Sequence, residues 1–64
     1  MTDTSKEQKE RLSLMIDKMF PNLPQKGQLM ANLGDERGNY SELAEMSDSE
    51  LEEMISLEKR YIGA

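Results

Sequence analysis

The chain contains no histidine, no cysteine, no tryptophan and no valine. Without histidine and cysteine it lacks the side chains that most often serve as bases or nucleophiles near neutral pH. The absence of cysteine also excludes a disulfide framework and a thiolate metal site, and it suits a reducing cytoplasm. The absence of valine removes a residue that favours β-strands. These absences disfavour an enzyme and a β-fold.

The residues that are present favour helices. Leucine, methionine, glutamate and lysine are abundant, and such unbranched side chains lose little freedom in a helix. We therefore predict an all-α fold, a small array or bundle of three to four helices in a single domain spanning residues 1–64, with residues 1–4 and 63–64 frayed. In so small a domain, apolar burial only just offsets chain entropy, so self-association or docking on a partner would stabilise it.

No apolar run approaches the roughly 18 residues that a membrane-spanning helix needs. The first residues, Met1 to Arg11, are polar and charged, which argues against a secretory signal peptide. The expectation from these two observations is a cytoplasmic protein that does not enter a membrane.

The spacing of apolar residues predicts three longer helices and one short helix. The first begins at Thr4 or Ser5, each of which fits a capping box, and it ends before Pro21. Its apolar stripe consists of Leu12, Met15, Ile16, Met19 and Phe20. The second covers about Pro24 to Leu33, with Gly34 as a left-handed stop just past its end.

After a loop, a short helix is predicted from Tyr40 to about Met46. Ser47 and Glu50 form the clearest capping box in the chain, which opens the last helix at Asp48, and Gly63 ends that helix. Its apolar side is predicted to consist of Leu51, Met54, Ile55, Leu57, Tyr61 and Ile62.

The sequence contains no motif for metal, phosphate or nucleotide binding. Counted from Asp35 or from Asp48, the acidic stretches fail the spacing of a calcium-binding loop. The glycines form neither a phosphate-binding loop nor a dinucleotide fingerprint. We therefore expect no cofactor, no metal and no catalytic residue.

The net charge of −5 lies entirely in residues 41–64, because acidic and basic side chains balance in residues 1–40. The acids of the last helix complement its dipole, which is one sufficient explanation of their position. However, Glu42 and Glu45, like Glu50 and Glu53, are like charges three residues apart, and either the basic residues of the first helix or a basic partner would relieve their repulsion. Glu58 lies within the apolar arc of the last helix. The predicted acidic partner-binding residues are Glu42, Glu45, Glu50, Glu53 and Glu58.

Methionine is frequent, with six residues in 64, and most lie at helical spacing with leucine. Such residues fill cores, but they also form adaptable surfaces that bind other helices. Leu14 lies off the apolar stripe of the first helix. The predicted apolar partner-binding residues are Leu14, Met15, Met19, Met54 and Tyr61.

The predicted function is non-catalytic binding to another protein that carries a basic groove, as a small cytoplasmic regulator, adaptor or inhibitor of the phage or mobile-element type. Two alternatives remain open. One is an acidic mimic of nucleic acid that blocks a nucleic-acid-binding protein, and the other is a self-assembling homo-oligomer such as a homodimer. Direct nucleic-acid binding is not expected, because the acidic half would repel phosphate.

Overall fold

A computed structural model describes residues 4–35 and 40–63. The elements are α1 (Thr4–Met19), α2 (Lys26–Met30), a π-helical segment (Ala31–Asp35), a 3-10 helix (Tyr40–Glu45) and α3 (Asp48–Tyr61). No strand occurs within these two ranges, so the all-α prediction is confirmed. The predicted fraying of residues 1–3 and 64, and most of the predicted loop before Tyr40, fall outside the described residues.

Helix α1 follows the predicted amphipathic pattern. Leu12 and Ile16 are fully buried, and the other members of the stripe pack partly buried around them. The chain turns after Met19, where Asn22 adopts a left-handed conformation with a φ of 62°. Asparagine tolerates this conformation better than most residues. Helix α1 begins at Thr4, which is one of the two predicted starting residues.

The predicted second helix, Pro24 to Leu33, is wrong in its bounds. The α-helical part begins only at Lys26, and after Met30 the chain continues as a wider π-helical turn that extends to Asp35. The predicted left-handed stop at Gly34 is also wrong. Within the described residues, positive φ angles occur only at Asn22 and Gly63.

Gly34 is required for a different reason, which is space. The aromatic ring of Tyr40 lies where a Cβ atom on Gly34 would be. That ring is nearly buried, and its hydroxyl donates a hydrogen bond of 3.1 Å to the carbonyl oxygen of Met30. The contact joins the π-helical segment to the 3-10 helix, although the loop between them falls outside the described residues.

Helix α3 begins as the sequence predicts. The hydroxyl of Ser47 accepts a hydrogen bond of 3.2 Å from the backbone N–H of Glu50, and the Glu50 carboxylate accepts one from the backbone N–H of Ser47. This capping box satisfies two backbone donors that the helix itself leaves unpaired. At the other end Gly63, with a φ of 76°, lies in the left-handed conformation that ends the helix.

The core is built from branched aliphatic side chains and one tyrosine. Every helical element of the described chain contributes to it, and the methionines pack partly buried at its edge. The buried residues are Leu12, Ile16, Leu29, Leu33, Tyr40, Leu43, Leu51 and Ile55.

Arg11 connects α1 to the start of α3. Its guanidinium donates hydrogen bonds of 2.8 Å to the carbonyl oxygens of Leu43 and Met46, at the end of the 3-10 helix. It also forms a salt bridge of 2.8 Å with Asp48, in the first turn of α3. The Leu43 carbonyl also accepts a hydrogen bond of 3.0 Å from the backbone N–H of Met46, so Arg11 adds a second donor there and a side-chain donor to the Met46 carbonyl. Arg11 also sets the position of α3 relative to α1.

Candidate partner-binding surfaces

Leucine 14 lies on the outside of α1, as its position off the apolar stripe predicts. Its side chain is 63% exposed and points away from Leu12 and Ile16. Glu10 and Lys18, one turn before and one turn after Leu14, are exposed on the same side of the helix. We call Glu10, Leu14 and Lys18 the α1 outer face.

Two shallow, open grooves flank this face, with volumes of about 470 and 540 Å³. Glu10 and Leu14 line both grooves, so they form the ridge between them. Met15 and Lys18 belong to the first groove, and Met30 belongs to the second. The grooves are mixed in character, because charged side chains surround a few apolar ones.

A second outward face lies on α3. Leu57 is 58% exposed and Tyr61 is 85% exposed, and their spacing of one helical turn brings them together. Glu50 and Glu53 precede Leu57 by seven and four residues, so they lie on the same side of the helix, and both are exposed. We call Glu50, Glu53, Leu57 and Tyr61 the α3 outer face. The N-terminal half of this face, Glu50 and Glu53, is acidic, and its C-terminal half, Leu57 and Tyr61, is apolar.

The exposure of Leu57 corrects the sequence analysis. Its assignment to the buried side of the last helix is wrong, and so is that of Tyr61, because both side chains face outward. The buried arc of α3 is narrower and centres on Leu51 and Ile55, with Met54 partly buried beside them. The apolar residues of α3 therefore divide between two faces.

The five predicted apolar binding residues do not form one surface. Leu14 and Met15 line the first groove beside α1. Met19 and Met54 are partly buried and pack against the core, and neither groove includes them. Tyr61 lies exposed near the end of α3. Of the five, Leu14 and Tyr61 offer the largest exposed fractions.

The five predicted acidic binding residues lie on two elements. Glu42 and Glu45 are exposed on the 3-10 helix, whereas Glu50 and Glu53 are exposed on α3. Glu50 also has a structural role, because its carboxylate completes the capping box with Ser47. Because the Glu50 carboxylate already accepts these hydrogen bonds, it is less available to a partner than the carboxylate of Glu53.

Glu58 is the exception among the acids, because it is half-buried rather than exposed. Its carboxylate accepts a hydrogen bond of 3.2 Å from the side-chain amide of Asn32, in the π-helical segment. Among the described residues it forms no ion pair with a cation of α1. Glu58 therefore joins α3 to the π-helical segment through a single long hydrogen bond, and the donor in that bond is uncharged.

We expect the substitution Glu58→Leu to stabilise the fold by about 1 kcal/mol, since leucine buries apolar area where the carboxylate gains only one long hydrogen bond. In a domain of this size, that gain raises the melting temperature by about 4–8 °C. Thermal unfolding followed by circular dichroism measures the shift. A clear fall in melting temperature would show that the Asn32 contact outweighs the apolar gain.

The described residues also limit the chemistry of these surfaces. Within residues 4–35 and 40–63, no three acidic side chains converge in a way that could hold a metal ion. In the same ranges, no helix has the length and apolar character required to cross a membrane. The described acidic side chains on the two outer faces therefore do not come together as a set of metal ligands.

The chain matches no family model, no curated protein and no solved structure. A function for it therefore has to be inferred from the geometry and charge of the two outer faces.

The sequence predicts no binding role for Leu57, Glu10 or Lys18. For Leu57 a signal existed, because its angular position, at about 100° per residue, is closer to Glu50 and Glu53 than to Leu51 and Ile55. For Glu10 and Lys18 the signal was their equal spacing on either side of the off-stripe Leu14. Neither signal is visible from composition or from hydrophobicity alone.

Proposed function

We propose that this protein is a non-catalytic protein-binding module, a small cytoplasmic regulator, adaptor or inhibitor that docks on a partner through the α3 outer face. The observation that carries the proposal is the exposure of Leu57 and Tyr61, one turn apart and outside the core. A single exposed leucine is ordinary on a protein surface. A leucine and a tyrosine side by side form a larger apolar patch, and tyrosine is among the residues enriched at binding hot spots.

The charge beside this patch indicates the chemistry of the partner. Glu53 and Glu50 lie on the same face of α3, and residues 41–64 carry the whole net charge of −5. Repulsion between these like charges is relieved when a basic surface approaches. The partner that fits is a basic groove or helix with an apolar centre. Its opposite charge would also accelerate association, in a way that depends on salt.

The cytoplasmic location in this proposal rests on the absence of cysteine, which is compatible with a reducing compartment. The position of the patch near the end of α3 favours binding by a helix face rather than by a cleft, because both described grooves lie beside α1. Binding of this kind requires no movement of the core residues Leu51 and Ile55.

The test uses the full chain as bait in a lysate of its native host, followed by affinity measurement on the captured protein. We expect the double substitution Leu57→Ser and Tyr61→Ser to weaken binding by about tenfold or more, because two anchors lose their buried area. The single substitution Glu53→Gln should weaken binding less, and mainly by slowing association. Isothermal titration and surface plasmon resonance measure these two effects.

Leu14→Ser is the matched control, since Leu14 is an equally exposed leucine on a different helix. Measured on immobilised single copies, it should leave the affinity within about twofold of the wild type. If Leu14→Ser abolished binding and the α3 variant did not, the partner would dock on α1 and the proposal would be wrong. If both variants bound like the wild type, neither apolar site would be the anchor.

The exposed Glu42 and Glu45 on the 3-10 helix favour a second candidate, an acidic mimic that occupies the nucleic-acid site of its partner. Salt distinguishes the two candidates. Binding through several acids at a phosphate-binding site should weaken steeply between about 50 and 200 mM salt, as binding of nucleic acid does. An apolar dock on Leu57 and Tyr61 should weaken much less over that range, and mainly through a slower association rate. Neutralising Glu42 and Glu45 together should weaken only the mimic.

A further inference from the structure

The α1 outer face differs from the α3 outer face in its charge pattern. It carries one acid and one base, Glu10 and Lys18, with the exposed Leu14 midway between them. Each charged residue lies four positions from Leu14, which is about 6 Å along the helix axis. The face is therefore complementary to itself when it is turned by 180° about Leu14.

The two charged residues are also available for binding. Within the described part of the chain, neither Glu10 nor Lys18 takes part in an intramolecular ion pair. Two neighbouring charged residues on α1 are already engaged, because Arg11 binds Asp48 and Asp17 binds Lys26 at 2.9 Å. The helix thus satisfies some of its charges internally and leaves Glu10 and Lys18 exposed on either side of Leu14, with the exposed Lys6, Glu7 and Lys9 nearer its start.

We propose that the α1 outer face binds a second copy of this chain, as an antiparallel pair of α1 helices centred on Leu14. In this arrangement Leu14 of one copy packs on Leu14 of the other. Because the two-fold axis passes beside Leu14, Glu10 of each copy lies opposite Lys18 of the other, which gives two equivalent ion pairs. The interface is isologous, so one surface supplies both sides.

The charges favour a second copy over an unrelated partner on this face. A basic or acidic partner would neutralise one of Glu10 and Lys18 and would oppose the other, whereas the antiparallel copy pairs both. The α3 outer face cannot pair with itself in this way, because an antiparallel copy would set its two acids opposite its apolar half, and Glu50, Glu53, Leu57 and Tyr61 include no base. The contact buries Leu14 and the edges of the two grooves, which gives a small interface and a concentration-dependent dimer.

Sedimentation equilibrium over a range of concentrations tests this arrangement. The wild type should approach twice the chain mass of 7.3 kDa as its concentration rises. Leu14→Ser should remain at the monomer mass at every concentration. Glu10→Lys and Lys18→Glu should each weaken dimerisation by about tenfold or more, since each places two pairs of like charges across the interface. Thermal unfolding by circular dichroism shows whether each variant is folded.

Mixing the two charge variants gives the decisive result. A copy with Glu10→Lys and a copy with Lys18→Glu should form a heterodimer, because every pair across the interface is then of opposite charge. Both variants keep a negative net charge, so general attraction between them cannot produce this result. The chain that carries both substitutions should dimerise like the wild type, since the two charges have only exchanged places.

The α3 double variant, Leu57→Ser with Tyr61→Ser, should dimerise as the wild type does, so this test is independent of the proposed partner site. A wild type that stays monomeric to millimolar concentration would overturn the proposal. A dimer that survives Leu14→Ser and both single charge substitutions would show that another surface mediates self-association, and it would equally overturn the proposal.

Discussion

Replacing Gly34 with alanine is expected to lower the free energy of unfolding by about 3 kcal/mol, at the upper end of what overpacking a core costs. The added Cβ would overlap the aromatic ring of Tyr40. The ring cannot swing aside, because it is nearly buried and its hydroxyl is bonded to the backbone of Met30. A domain of 64 residues has about 3–10 kcal/mol of total stability, so the variant should be largely unfolded or strongly destabilised.

Urea unfolding measures this loss, and a double-mutant cycle with Tyr40→Ala assigns it. Once the ring is absent, Gly34→Ala should cost far less than it does in the wild type. Gly27→Ala is the matched control, because nothing lies within 4 Å of the Cβ that it would add. That control should stabilise α2 by about 0.5–1 kcal/mol. An equal cost of Gly34→Ala with and without the tyrosine ring would refute the steric explanation.

Replacing Arg11 with methionine is expected to cost about 2–3 kcal/mol, since hydrogen bonds from a charged donor to two backbone carbonyls are lost together. Methionine keeps most of the side-chain length and its packing. The carbonyl of Met46 then loses its guanidinium donor, and the carbonyl of Leu43 keeps only the backbone N–H of Met46. Thermal and urea unfolding, read by circular dichroism, measure the loss.

Two further variants separate the carbonyl contacts from the salt bridge. Asp48→Asn removes the salt bridge alone, and because Asp48 is largely exposed we expect a cost below about 1 kcal/mol. Arg11→Lys keeps the charge but not the planar group that reaches two carbonyls and the carboxylate, so it should recover only part of the stability. If Asp48→Asn destabilised the protein as much as Arg11→Met, the carbonyl contacts would not be the main contribution.

The parts of the fold that depend on local sequence were predicted well. Helix α3 begins at Asp48, where the capping box of Ser47 and Glu50 places it. Helix α1 ends before Pro21, as proline requires. In both places the signal and the structure lie within a few residues of each other, so no knowledge of the tertiary contacts is needed.

The features that depend on distant residues could not be predicted. The requirement for glycine at position 34 comes from Tyr40, and the role of Arg11 comes from backbone carbonyls more than thirty residues away. No periodicity in the sequence records such contacts. For the same reason the second helix was predicted as one regular helix, although it changes to a π-helical turn after Met30.

The candidate surfaces fall between these two cases. The outward position of Leu14 followed from its angle on α1, and the structure agrees. Leu57 was assigned to the buried side of α3 because hydrophobicity was given more weight than angular position. The binding role of all ten selected residues, and of the residues added to them, stays a prediction that the experiments above address.

The position of the methionines has a consequence for damage by oxidants. Among the described residues, all six fully buried side chains are leucine or isoleucine, whereas Met15, Met19, Met30, Met46 and Met54 surround them only partly covered. We therefore expect oxidants to modify these methionines without unfolding the protein, and the resulting sulfoxides would be polar groups at the edge of the core. Because the central side chains contain no sulfur, the innermost packing is chemically inert. Reductive repair of the sulfoxides would restore the original surface without refolding.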